Sequence, residues 1–193
     1  MFLHLLNWTN MRKINLSSYN NDWYKPGKRL IIILWYISNR LFFYTSIPYP
    51  NWFKLVILKL FGAKTGKNIT IKPKVNIKYP WLLEIGNNIW IGENVWIDNL
   101  ARVIIEDNVC ISQGAMLLCG NHNYKKSTFD LIVKRIILEE GSWVGAMSVV
   151  CPGVTLKSHA ILSVGSIATS DLDAYNIYQG NPAQIVRERK MES

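Results

Sequence analysis

The chain has 193 residues, 49% of them apolar and 18% charged, with 22 Lys and Arg against 13 Asp and Glu for a formal charge of +9. That length allows one domain with a real apolar core and excludes a pair of large ones. The apolar content excludes a disordered basic tail, so the excess charge must first be located before a partner is assigned to it.

Residues 1–67 hold ten bases and one acid, Asp22, whereas the remaining 12 bases meet 12 acids. The whole excess therefore sits in the first third. The opening MFLHLLNW has no basic n-region and only a short apolar run, which argues against a secretory signal. The longest apolar run, Leu30 to Ile37, has eight residues, too few for a membrane crossing. Cys110, Cys119 and Cys151 form no CxxC pair and are odd in number, which fits a reducing compartment and buried thiols. A cytoplasmic protein is expected.

Within the basic segment, residues 28–61 alternate apolar clusters with bases and break at Ile47 to Pro50, predicting two short helices. In the second, Trp52, Leu55, Val56, Lys59 and Leu60 fall at helical spacing, with Lys54 and Lys59 as cationic edges. Two readings stay open: a basic amphipathic element lying peripherally on the anionic inner face of a membrane, or a cap packed on the body or a neighbouring subunit. Nucleic acid is not expected, because the charge lies in an apolar helical segment and no nucleic-acid motif is present.

After Lys67 the period becomes six. Leu138, Val144, Val150, Leu156, Leu162 and Ala168 stand at six-residue steps, and Ile85, Ile91, Ile97 and Val103 do the same before a two-residue slip to Ile105, Ile111 and Leu117. Gly86 and Gly92 follow two of these positions, and Asn88, Asn94 and Asn108 recur beside them. A period of six suits neither an α-helix nor a long strand. It suits a prism in which each hexapeptide makes one flat face, points one aliphatic side chain inward and turns a corner where Gly and Asn accept positive φ. The expectation is a mainly β chain: a parallel β-helix of roughly four to five coils of about 18 residues each over 68–178, left near Leu172. A helical segment precedes it at 1–67, a short tail follows at 179–193, and a loop excursion interrupts it at 119–136.

The hexads, WIGENVWIDNLA at 90–101, DNVCISQGAMLLCGNHNY at 107–124 and QGNPAQIVR at 179–187 resemble the left-handed β-helix acyltransferases of the hexapeptide-repeat superfamily, within it the colanic acid biosynthesis acetyltransferase group. LFGAKTGKN before the coils is similar to that group's lead-in. The resemblance spans about residues 28–190. It implies acetyl transfer from acetyl-CoA, without a metal, to a hydroxyl of a sugar or lipid-linked saccharide in surface polysaccharide biosynthesis. It also implies a homotrimer with sites between neighbouring prisms.

On this resemblance His122, at the start of the excursion, is the general base, a task imidazole performs near neutral pH without large tuning. Gly145, Ala146, Val164, Thr169, Pro182 and Arg187 would lie beside CoA, with backbone donors near Gly145 and Ala146 for the oxyanion, Pro182 against adenine and Arg187 on phosphate. Ser170 and Gln184 depart from the Lys and Arg of relatives, which implies a weaker phosphate grip. Asn123 replaces a common Asp after the His, so the group orienting His122 is expected elsewhere, for instance a backbone carbonyl. Asp98 and Asn99 are candidates for acceptor contacts or else corner residues, and Trp143 shapes the site or a subunit contact. His159 is expected to face solvent, and His4 is expected to lie in a flexible segment. Competing readings are N-acetylation of an amino sugar, a non-catalytic scaffold, and a zinc carbonic anhydrase for which the histidines are too few.

Overall fold

The computed structural model describes residues 13–192; His4 and the opening octapeptide lie outside the described residues. Helix α1 (Arg29–Ser38) runs on through a π-helical turn, Asn39–Phe43, and α2 (Asn51–Leu60) follows after the proline break. From Lys64 the chain winds into a three-faced parallel prism.

The first face stacks Lys64–Thr65, Leu83–Ile85, Val103–Ile105, Ile136–Leu138 and Thr155–Leu156. The third stacks Asn76–Ile77, Trp96–Asp98, Met116–Leu118, Val149–Val150 and Ile167–Ala168. The second runs from Ile69–Ile71 through Ile161–Leu162 and gains a sixth strand, Asn176–Gly180, which folds back antiparallel against Ala183–Glu188. The prism therefore has five full coils and part of a sixth. It continues past Leu172, which only bridges Leu156, and the strand Asn176–Gly180 crosses the boundary expected at 178–179.

Every aliphatic residue named in the period-six rows is buried, at 4% exposure or less. The coil length, expected at about 18, takes two values. Ile69 lies beside Ile89, Asn76 beside Trp96 and Leu83 beside Val103, a 20-residue coil, whereas Trp143 lies beside Ile161 and Val149 beside Ile167, an 18-residue coil. The slip after Val103 is one instance of the extra pair of residues in each lower coil. At one corner Asn68, Asn88 and Asn108 take φ of 54°, 58° and 60°. Their amides form a ladder, Asn68 Nδ2 to Asn88 Oδ1 at 3.0 Å and Asn88 Nδ2 to Asn108 Oδ1 at 3.1 Å. Asn serves here because its short amide tolerates the left-handed region and bonds its counterpart one coil away.

The two helices close the open end. Asn51 Oδ1 accepts from Ile71 N–H at 2.9 Å, and Lys54 Nζ donates to Ile71 O at 2.7 Å, so α2 satisfies an edge strand that has no coil beneath it. Trp35 Nε1 does the same for Ile77 O at 2.8 Å. This corrects the expectation for Lys54: it is 1% exposed and buried among the caps rather than placed on a cationic edge, and burial followed by the charge of Lys72 lowers its pKa. Lys54, Ile57 and Leu58 form the packing side of α2. Trp52, Val56 and Leu60 point outward.

Close coil spacing puts backbone within reach of any added side-chain atom. A Cβ on Gly92 would lie 2.6 Å from Gln113 N in the next coil, while one on Gly165, at φ +67°, would meet nothing within 4 Å. Gly92→Ala is expected to cost about 3 kcal/mol in equilibrium unfolding because backbone has to shift, and Gly165→Ala about 1 kcal/mol from the left-handed conformation alone. Equal losses would contradict the close-approach account.

Candidate active site

The excursion leaves the prism after the third face and forms a hairpin, Gly120–His122 paired antiparallel with Leu131–Val133. His122 Nδ1 lies 2.9 Å from Phe129 O, and the two rings stack at 4.4 Å with planes 6° apart. A carbonyl only accepts, so Nδ1 carries the proton and Nε2 presents its lone pair. The orienting group is thus a backbone carbonyl, delivered by Phe129 at φ +52°, a left-handed conformation that usually belongs to glycine. Asn123 is occupied in the turn, its Oδ1 accepting from Lys125 N at 3.1 Å.

Sequence reasoning missed Tyr19, Tyr24 and Phe129. Asn15 N–H donates to Ser127 O at 2.8 Å, and this contact lays the N-terminal segment along the excursion, with the Tyr19 ring 5.8 Å from the His122 ring. Further on, the Tyr24 hydroxyl donates to Leu100 O. Burial, and then the charges of Tyr79 and Asp98, hold Tyr24 protonated far above neutral pH. No spacing rule connects such distant residues; only the folded chain does.

Asp98 and Asn99 separate into different roles. The Asp98 carboxylate sits at the foot of this hairpin, ion-paired with Lys78 Nζ at 3.1 Å through an oxygen that makes no directed hydrogen bond. Asn99 is wholly buried; its Oδ1 accepts from Lys78 N at 3.2 Å and Tyr79 N at 3.0 Å, and its Nδ2 donates to Tyr79 O at 2.6 Å. Of the two readings of Asn99 this favours the corner residue, since its buried amide is bonded to Lys78 and Tyr79. His159 is half-buried rather than turned to solvent, stacked on Tyr175 at 4.7 Å.

Of the residues expected beside the cofactor, Gly145, Ala146, Val164 and Arg187 line one groove of about 480 Å³, together with Trp143, Ser112 and Ile177. Trp143 Nε1 is anchored on Ser112 Oγ at 2.9 Å, so this aromatic belongs to the groove wall. Gly145 N–H is spent on Leu162 O at 2.7 Å, whereas Ala146 N–H has no hydrogen-bond acceptor among the described residues. The expected oxyanion donors thus reduce to Ala146. Thr169 and Pro182 are exposed and lie outside this groove, one after the strand Ile167–Ala168 and the other at the tip of the terminal hairpin. The groove opens at the corner between the second and third faces, one full face away from the His122 corner. One chain does not bring His122 and the groove together.

Burial pushes the Cys119 thiol up to about 11, so it is no nucleophile or ready metal ligand at neutral pH. Among the described residues no three His, Cys, Asp or Glu side chains gather into a metal-holding group.

No family model matches the chain. It is 32% identical over 166 residues to the putative colanic acid biosynthesis acetyltransferase WcaF of Escherichia coli K12, covering 86% of this chain and 91% of that protein. The chain belongs to the hexapeptide-repeat acetyltransferase family. The galactoside O-acetyltransferase of the same organism is 28% identical over 135 residues, covering 68% of this chain and 66% of that protein. Among solved structures, an acetyl-CoA complex of the hexapeptide-repeat acetyltransferase VCA0836 from Vibrio cholerae superposes with a TM-score of 0.69 at 21% identity, covering 76% of this chain and 81% of the other. A galactoside acetyltransferase in complex with coenzyme A gives 0.67 at 24% identity, covering 75% of each chain. The prism is the left-handed β-helix of this family, and the protein is an acyltransferase.

The groove fits a CoA thioester on its own terms, with Trp143, Val164 and Ile177 giving an apolar wall for a thin arm. A Cβ on Gly145 would stand 2.6 Å from Leu162 O in the next coil, so close coil approach keeps glycine there, and Arg187 supplies a cation at the groove's edge. Asn99→Ala is expected to lower stability by about 2 kcal/mol through the stranded amides of Lys78 and Tyr79, with CoA binding unchanged in calorimetry. A stable variant with impaired turnover would return Asn99 to the acceptor site.

Proposed function

We propose that the protein O-acetylates a sugar hydroxyl of a surface polysaccharide precursor, with His122 as general base. The observation that carries this reading is the Nδ1 to Phe129 O bond, which leaves the Nε2 lone pair free to take a proton. Acetyl-CoA supplies the activated thioester carbonyl. Nε2 takes the hydroxyl proton as the sugar oxygen attacks that carbon, and the proton returns to the sulfur as the carbon–sulfur bond breaks. The Ala146 N–H is placed to meet the negative charge that develops on the carbonyl oxygen. Asp98 beneath the hairpin and the Tyr19 ring beside His122 supply a carboxylate and an aromatic plane for the acceptor.

Separation of His122 from the groove by a whole face supports a homotrimer in which one chain's His122 faces the groove of its neighbour. With that assembly goes a cytoplasmic location, peripheral at the inner face of a membrane where lipid-linked saccharides are at hand. The resemblance to a colanic acid acetyltransferase supports a polysaccharide precursor as acceptor. His122→Ala is expected to lower the acetyl transfer rate by about 10²–10⁴-fold with CoA binding kept. Unchanged turnover would remove the base, and a product stable to mild alkali would mean an amide rather than an ester.

A further inference from the structure

The entry helices leave an apolar surface uncovered. On α1, Leu30, Ile33 and Ile37, and on α2, Trp52, Val56 and Leu60, are between 49% and 79% exposed. Apolar positions gathered this densely on two short helices mark a surface built to meet something else. The sequence around them is basic: eleven Lys and Arg lie between Asp22 and Glu84, with no acid. Apart from buried Lys54 and from Lys64 and Lys78, which pair with Glu84 and Asp98, the other eight have no carboxylate partner among the described residues. A second copy of the same surface would bring like charges together across the contact, so charge complementarity selects an anionic partner.

A groove of about 280 Å³ between α1 and the third face adds a site for the head of that partner, lined by Tyr36, Arg40, Asn76, Lys78 and Trp96. The Arg40 guanidinium rests over the Tyr36 and Tyr44 rings at 5.1 and 4.7 Å and has no carboxylate in ion-pair reach among the described residues. An arginine held on aromatic planes with its donors unspent suits a phosphate. No helix among the described residues is long and apolar enough to cross a membrane. A 10-residue helix is only about 15 Å long, which suits lying in the headgroup layer.

We propose that the outer faces of α1 and α2 insert into an anionic phospholipid surface, with Arg40 and its groove taking a lipid phosphate. This rests on the peripheral location proposed above. Vesicle binding is scored apart from acetyl transfer, so either can fail while the other stands. The full chain is co-sedimented with phosphatidylcholine vesicles and with vesicles containing about one-third phosphatidylglycerol, at ~0.1 M salt. Binding to the second and not the first is expected, weakened roughly tenfold by added salt. Ile33→Glu with Ile37→Glu should abolish it while CoA binding shows the prism intact. Arg40→Gln, which disturbs no buried contact, should reduce the preference for the anionic vesicles. Equal sedimentation with both vesicles, or binding unaffected by these substitutions, would overturn the proposal. So would a wild-type chain that ignores vesicles but loses subunits on the Ile33 and Ile37 changes, since the face would then join copies of this chain.

Discussion

A hexapeptide face is too small to bury its own aliphatic side chain, so every coil of this prism depends on the coil above and below it. That dependence accounts for the rest of the structure. Inward positions must be aliphatic, corners must accept positive φ, and the backbone must approach closely enough that Gly92 has no room for a methyl group. Stacking also leaves two open ends. The lower one is closed with side chains, Asn51, Lys54 and Trp35, that pair the orphan backbone groups of the first coil. A lysine buried at 1% exposure is costly by itself; here its ammonium donates to the carbonyls of Ile71 and Lys72, on the edge that has no coil beneath it.

Rigidity of the stack is what gives the chemistry its geometry. Loops anchored on such a scaffold inherit fixed positions, and the excursion uses this to hold an imidazole between a carbonyl and a phenyl ring. The arrangement needs no carboxylate partner, which explains how Asn123 is accommodated after the His. The groove is built on the same principle at another corner, where successive coils place Ala146 and Val164 in register. Distance between the two corners makes assembly part of the proposed catalytic design.

The period-six rows and the helical entry were legible because each is a repeated local pattern, and His122 stood out because it falls where the pattern stops. Coil length was only partly legible: a 20-residue coil hides as isolated slips, because the extra residues sit at corners where no periodic constraint acts. Lys54 was misjudged, Asn99 left between two readings and Tyr19 missed for a common reason. Each is defined by a partner 17 or more positions away, Ile71 for Lys54, Tyr79 for Asn99 and His122 for Tyr19. Composition reports that a residue is polar or aromatic, not that its polarity is already spent. The +9 charge behaved the other way: once located, it remained informative, because the structure shows the same segment exposing its apolar residues.

Completion of the site by a neighbouring chain is the claim on which the functional account turns. Two variants, His122→Ala and Ala146→Trp, each remove one half of the site, the base in one and the groove in the other. Measuring acetyl transfer by the co-expressed pair tests the arrangement directly. Either variant alone should be inactive, and random mixing should restore about a quarter of the wild-type sites. No recovery in mixed assemblies that bind CoA would contradict the account and place the whole site within one chain.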